Sequence, residues 1–389
     1  MRGRSLTEAL PRVLEIVEAV RTGGDKALLD AIEGFDGTRP EELRVPASAI
    51  AQAEVAEETL AALWECMRAV WEFHAFERPP AFSHSPYPGV CASRLFLPLD
   101  SVGVYVPGGL HPLPSSLIMS CVPALAAGVP RIVVATPKPD PIILASCRLL
   151  GINEIYCIGG AQAIAALAYG TETVRRVDKI VGPGQIWTQA AKLLVSGVVG
   201  IDFVAGPSEI LIIADESADP VCVAADLLAQ IEHGPGSEAL LVTTSHALVD
   251  RVTGLVGESE QIRIEQVESL EAALARANEY APEHLELMVT DPEAVLMGVR
   301  NAGAVFLGLY APAAAGDYAV GTNHILPTGG LARSYGALGL EAFLKPIEIV
   351  RVDRQGLEAM ASTATRLARV EGLEQHARSI EARFDKDKP

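Results

Sequence analysis

The chain has 389 residues, of which 49% are hydrophobic and only 5% aromatic, with a formal net charge of −18. That length and apolar content imply a large core in at least two layers, expected as two domains, and exclude a disordered chain. The acidity comes without any block of clustered Lys and Arg, which excludes nucleic acid as a partner.

Met1-Arg2-Gly3-Arg4-Ser5 leads into a polar amphipathic helix, not an apolar signal core. The first hundred residues read as mainly helical, with breaks at Gly23-Gly24-Asp25 and Gly34-Phe35-Asp36-Gly37. From about Ser101, short apolar runs alternate with amphipathic or Ala-rich ones. The predicted strands are Val102-Tyr105, Arg131-Ala135, Glu154-Ile158, Lys179-Val181, Glu209-Ile213, Ala239-Thr243, Leu285-Val289 and Ala304-Leu307. Between them lie predicted helices at Leu117-Ala127, Ala161-Tyr169, Thr188-Val195, Pro220-Ile231 and Leu270-Glu279. Strands separated by helices of this length predict parallel α/β units. The most apolar run, Leu117 to Val129, is interrupted by Pro123 and too short to span a bilayer. After Ile347-Val352 the chain is helical again, from Gly356 to about Phe384, and no internal repeat of solenoid period is evident. Cys66, Cys91, Cys121, Cys147, Cys157 and Cys222 form no C-x-x-C pair and read as reduced, mostly buried small hydrophobes of a cytoplasmic protein.

Glycine turns precede three of the helices: Tyr105-Val106-Pro107-Gly108-Gly109, Gly159-Gly160-Ala161-Gln162 and Gly182-Pro183-Gly184-Gln185. Such turns let backbone approach a ligand and present helix N-termini to phosphate. Gly182 to Trp187 opens like a dinucleotide fingerprint, with Asp202 at the distance of a ribose-binding acid. Trp187 stands where the third glycine belongs, so the fingerprint is incomplete.

The helix Pro220-Ile231 runs into Gln230-Ile231-Glu232-His233-Gly234-Pro235-Gly236. Gln230 and His233, three apart, are expected on one face at a helix end, an oxygen and a nitrogen suited to a borderline metal ion. A solvated helix terminus fits the same residues. Downstream, Tyr280-Ala281-Pro282-Glu283-His284-Leu285 sets an acid beside an imidazole before a strand. Gly316-Asp317-Tyr318 and Gly321-Thr322-Asn323-His324 present Asp317 and His324 on a glycine-bounded loop, and Glu371 and His376 lie five apart on the helical tail. Read singly, each of these also fits a structural role.

Taken together and in this order, these stretches, with Val177-Asp178-Lys179-Ile180 and Ala205-Gly206-Pro207-Ser208-Glu209, resemble the histidinol dehydrogenase family from about Val17 to the tail. The resemblance implies two incomplete Rossmann-like α/β domains with parallel sheets, N-terminal helices and a C-terminal helical tail. Their expected bounds are 1–103 with 215–338, then 104–214, with a dimerisation tail over 339–389. It implies a zinc-dependent, four-electron oxidation of L-histidinol to L-histidine with two NAD, the last step of histidine biosynthesis. Gln230, His233, Asp317 and His376 would hold one zinc ion per subunit, a set without thiolate that leaves room for the substrate's own nitrogens. His284 matches the base for the alcohol proton, and Glu283 the residue that activates water for the second oxidation. Ser208, His324 and Glu371, together with His284 and the four metal ligands, match positions that meet substrate. Tyr105, Gln162 and Gln185 match those that meet NAD. The tail would complete the partner's active site in a homodimer.

Three departures stand out. Gln185 occupies a position that is usually Asn, so its amide reaches one methylene farther. The chain starts later than typical members, which is expected to trim a dimer contact, and the stretch between His233 and Glu283 is shorter. Two other functions compete: a related zinc- and NAD-dependent dehydrogenase of another small polar alcohol, such as a sulfonated diol, and a non-catalytic ligand-binding relative.

Overall fold

The computed structural model describes residues 6–37, 39–108, 111–234 and 236–384. Met1 to Ser5, Gly109 of the first glycine turn and Pro235 of the helix stop lie outside the described residues. Two compact units emerge, one spanning the chain to Glu77 together with Leu99–Phe343, the other Arg78–Pro98 together with the chain from Leu344.

The chain opens with α1 (Leu6–Asp36), α2 (Ala47–Ala51) and α3 (Glu57–Ala75), followed by β1 (Phe82–His84) and β2 (Val90–Pro98). A first alternating run comprises β3 (Val102–Tyr105), α4 (Pro114–Ala127), β4 (Ile132–Thr136), α5 (Pro141–Leu149), β5 (Ile155–Cys157), α6 (Gly160–Tyr169), β6 (Lys179–Val181), α7 (Ile186–Val195) and β7 (Gly200–Ile201). The second begins with β8 (Glu209–Ala214), α8 (Pro220–Ile231), β9 (Glu238–Thr243), α9 (His246–Val256) and β10 (Ile262–Gln266). It continues through α10 (Leu270–Tyr280), β11 (His284–Met288), α11 (Pro292–Leu296), β12 (Ala304–Leu307) and α12 (Ala313–Gly316). Last come β13 (Leu344–Val352), α13 (Arg354–Val370) and α14 (Glu374–Glu381).

Both runs form five-stranded, all-parallel sheets, ordered β5-β4-β3-β6-β7 and β10-β9-β8-β11-β12. In each, the first strand lies central and the order reverses beside it, the doubly wound pattern short of its sixth strand. The expected pair of incomplete Rossmann-like units is therefore the observed fold. Every residue of β8 and β11 is buried, as a sheet covered by helices on both faces requires. In the second unit, β1-β2-β13 is an antiparallel sheet that the mainly helical reading of the first hundred residues missed.

The domain bounds differ from expectation. Glu209–Ala214 hydrogen-bonds to β9 and β11, so it belongs to the second sheet, whereas a bound at 214 assigns it to the first. Helix α1 packs its buried Val13, Val17, Val20, Leu28 and Ile32 with the helices of the first sheet. Those five side chains contribute on the order of 10 kcal/mol of hydrophobic burial before conformational entropy is subtracted. The glycine pair at 23–24 is a kink within α1: Gly24 has φ 56, and the N–H of Asp25 donates to Glu172 at 2.7 Å. Among the described residues, no helix is long and apolar enough to cross a membrane.

Candidate active site

The acid–imidazole pair arises from a strained junction. Helix α10 closes on Ala281 at φ 56, the one non-glycine residue with positive φ among those described. That left-handed conformation costs roughly 1 kcal/mol and turns Pro282 and Glu283 into the amino end of β11. Gly303 lies against the carbonyl of Glu283, where an added Cβ would come within 2.6 Å of the oxygen.

Glu209, first residue of β8, holds both members of the pair through its backbone. Its N–H donates to Glu283 Oε2 at 2.9 Å, and its carbonyl oxygen lies 3.2 Å from His284 Nδ1. A carbonyl only accepts, so Nδ1 carries the proton and Nε2 keeps its lone pair. Burial pulls the His284 pKa down to about 4, which leaves the ring neutral at pH 7. Burial has the opposite effect on the Glu283 carboxyl, holding it well above the usual carboxylate range despite hydrogen bonds from Glu209 and Ser208. The two side chains approach to 3.6 Å.

Asp317, just beyond α12, faces His324: the ring's Nδ1 lies 3.1 Å from the Asp317 carbonyl and 3.5 Å from its carboxylate. Burial pushes that carboxyl up, but the His324 hydrogen bond and the fields of His324, His284 and His233 outweigh it and hold it low. The structure thus brings Asp317, His233, His284 and His324 into one electrostatic neighbourhood. Ser116, which sequence reasoning missed, meets His324 Nε2 at 3.2 Å from the start of α4.

Gln230 occupies the last turn of α8, buried, and its Nε2 has no hydrogen-bond partner. The helix ends at Ile231, and His233 follows in an exposed turn, its N–H donating to the Gln230 carbonyl at 3.3 Å. Glu371 and His376 do not share a helix, because Gly372, at φ 76, separates α13 from α14. Both are exposed and belong to the second unit. Among the described residues no three His, Cys, Asp or Glu side chains gather as a metal-ligating group. The expected ligand set includes an amide oxygen and a residue of the second unit, so it does not form such a group within one unit.

Ser208 opens onto a cavity of about 470 Å³ that Glu209, Glu238, Tyr280 and Arg333 also line. Beside the pair, Glu286 faces α8 from β11 and accepts from the N–H of Ala313 at 2.7 Å. Burial, aided by Asp226, keeps its carboxyl protonated far above the usual range. Asp226 lies within the predicted helix Pro220-Ile231, but nothing in the sequence pairs it with Glu286, sixty residues on.

The three residues expected to meet NAD gather at the carboxyl edge of the first sheet. Tyr105 ends β3, and its phenol oxygen accepts the N–H of Gly160 at 3.1 Å, at the start of the helix that carries Gln162. Gln162 is buried, whereas Gln185, the residue preceding α7, is exposed. The sheet order reverses between β3 and β6, where doubly wound folds bind ligands. Asp202 is not free to meet a ribose: one carboxylate oxygen accepts the Gly182 N–H at 2.9 Å and the other Lys192 at 2.6 Å. The fingerprint's acid therefore fixes the turn and does not serve as a ribose ligand.

Comparison with known proteins identifies the family. Residues 2–384 match the family model described as histidinol dehydrogenase. A histidinol dehydrogenase of Methanothermobacter thermautotrophicus is 45% identical over 97% of this chain and 94% of that protein. One from Nostoc, named histidinol dehydrogenase 2, is also 45% identical, over 96% and 92%. The crystal structure of histidinol dehydrogenase from Elizabethkingia anophelis superposes with a TM-score of 0.93 at 35% identity, covering 99% of this chain and 94% of that one. Fold, motif order and relatives thus converge, and the chain belongs to the histidinol dehydrogenase family of NAD-dependent oxidoreductases.

Proposed function

We propose that the protein oxidises L-histidinol to L-histidine in two steps at one site, reducing two NAD. The observation that carries this reading is the hold of Glu209 on its neighbours, which leaves His284 Nε2 as a neutral base beside the Glu283 carboxyl. In the first step His284 Nε2 takes the hydroxyl proton as hydride passes from the alcohol carbon to NAD, giving the aldehyde. In the second, Glu283 first gives up its own proton to solvent and, as a carboxylate made more basic by burial, takes a proton from the water that adds to the aldehyde carbon. The hydrate then loses its hydride to a second NAD, so that one alcohol, one water and two NAD yield one carboxylate, two NADH and three protons. A neutral imidazole and a nearby carboxyl contribute about 10²–10⁴-fold each in such roles.

Gln230, His233 and Asp317, with His376 of the partner subunit, would hold one zinc ion. When bound, it supplies a clamp that keeps the substrate and its aldehyde in place while the nicotinamides exchange. The low Asp317 carboxyl beside His233 and the oxygen and nitrogen character of the set support this assignment. Ser208, His324 and, from the partner's tail, Glu371 would orient the substrate. Tyr105, Gln162 and Gln185 would meet NAD. A homodimer with shared sites is supported by the second unit, which exposes Leu95, Leu97, Ile347, Ile349, Val350 and Val370. Cytoplasmic residence accords with six cysteines that form no disulfide among the described residues.

An arginine on the pocket wall would favour an anionic alcohol as substrate. Arg333 does line the cavity beside Ser208, but its guanidinium donates to the carbonyls of Asn278 and Glu279, and Glu209 and Glu238 share the wall. That balance suits a cationic amino alcohol. The deciding measurement is NADH formed per L-histidinol consumed by zinc-replete protein. Two NADH with histidine as product is the expected result; no turnover by zinc-loaded protein would overturn the substrate assignment.

A further inference from the structure

Helix α7 buries a polar face where packing alone would favour an apolar one. Gln189 and Lys192 are each only 1% exposed, and neither matches a position that meets substrate, metal or NAD. The Gln189 amide bridges two segments: Nε2 donates to the Gly184 carbonyl at 3.2 Å, and Oε1 accepts the Ala205 N–H at 3.0 Å. Gly184 precedes Gln185, and Ala205 leads to Ser208. One helical turn on, Lys192 Nζ donates to the Gly182 carbonyl and to Asp202, both at 2.6 Å, while Asp202 also accepts the Gly182 N–H. One ion pair therefore holds both polar groups of the Gly182 backbone. Gly182 itself, at φ +114, packs so closely on β3 that a Cβ would lie 2.2 Å from the Tyr105 carbonyl oxygen. Apolar residues of similar volume often match a buried ion pair in stability, but here they would leave the Gly182, Gly184 and Ala205 backbone groups unpaired, so the polar face serves to hold those segments in place.

We propose that Gln189, with the Lys192–Asp202 pair, is a positioning frame that fixes the spacing between the NAD-binding turn Gly182–Gln185 and the substrate loop Ala205–Ser208. The inference rests on the NAD site proposed above. It adds a reason for the polar face: two nicotinamides must reach the same carbon in succession, and a strut between turn and loop gives each the same approach.

The test uses the full-length, zinc-loaded protein, with NADH affinity followed by fluorescence alongside kcat and the KM of each substrate. Gln189→Glu keeps the acceptor for Ala205 and loses the donor to Gly184. It should weaken NADH binding and raise the KM for NAD about tenfold, as expected for one hydrogen bond to buried backbone, with the KM for histidinol unchanged. Gln189→Leu should add a fall in kcat of about tenfold. Lys192→Met/Asp202→Leu removes both charges together and should also weaken NADH binding in folded protein. Folded variants with wild-type NADH affinity and KM values, whatever their melting temperatures, would overturn the frame. Wild-type protein that binds no NADH would instead overturn the NAD site beneath it, and the frame with it.

Discussion

Glu283 and His284 are neighbours in sequence, but what sets their chemistry lies seventy-four residues earlier, in the peptide groups on either side of Glu209. Because folding keeps the His284 ring neutral down to about pH 4, while an exposed ring titrates near 6.5, the unfolded chain binds the extra proton first. Stability therefore falls as pH drops from about 6.5 to about 4, by roughly 3 kcal/mol from this residue. His284→Asn should abolish turnover and flatten that part of the urea-midpoint profile relative to wild type; an unchanged slope would mean the ring is not held neutral. Glu283→Gln should separate the two oxidations, yielding one NADH quickly and slowing the second by about 10²–10⁴-fold. Rapid-quench counting of NADH per site reads this directly, and an equal loss in both steps would contradict the split roles. The pair itself was legible, because Glu and His abut before an apolar strand. Its anchor was not, since nothing in a sequence marks which peptide group a distant carboxyl will accept from.

Among the elements, α8 was legible to the residue: Asp219 caps it and Pro220 opens it, both strong local signals. His233 falls just past its end, where the predicted bounds also leave it. Strands β7 and β10 and helices α5 and α9 escaped the hydrophobic reading. β10 is an edge strand of mixed exposure, and β7 has only two residues. The common order of the two sheets was invisible as a repeat, since buried strands need only apolar side chains and keep no shared sequence. At the tail, Gly372 divides what the sequence presents as one helix. Deleting the residues after Glu371 should abolish zinc retention and turnover while the parallel sheets stay folded. Metal analysis and far-UV circular dichroism check this, and a fully active truncation would refute the role of His376.

On the scale of the whole molecule, fold and family were readable from motif order, whereas the unit boundaries were not. Contiguity in sequence suggests that the first hundred residues stay together, but α1 follows the first sheet and residues 90–98 pair with β13. The assembly proposal makes a prediction that no single chain can satisfy. Mixing inactive His284→Asn protein with inactive His376→Ala protein should restore up to about a quarter of wild-type activity. Random reassortment makes half the dimers mixed, each with one site built wholly from intact residues. No recovery after verified subunit exchange would place the tail in its own subunit's site.

The two parallel sheets present opposite edges to function. Tyr105 and the Gly182 turn lie at the carboxyl ends of the first sheet's strands, whereas Glu209 and His284 lie at the amino ends of the second's. The consequence is one of inheritance. On the proposed assignment, residues 105–185 would drift toward another dinucleotide, and residues 208–324 toward another alcohol, as nearly separate cassettes. The shared constraint between them is a single helix face, so lineages that exchange either cassette should be found to carry α7 along with the first.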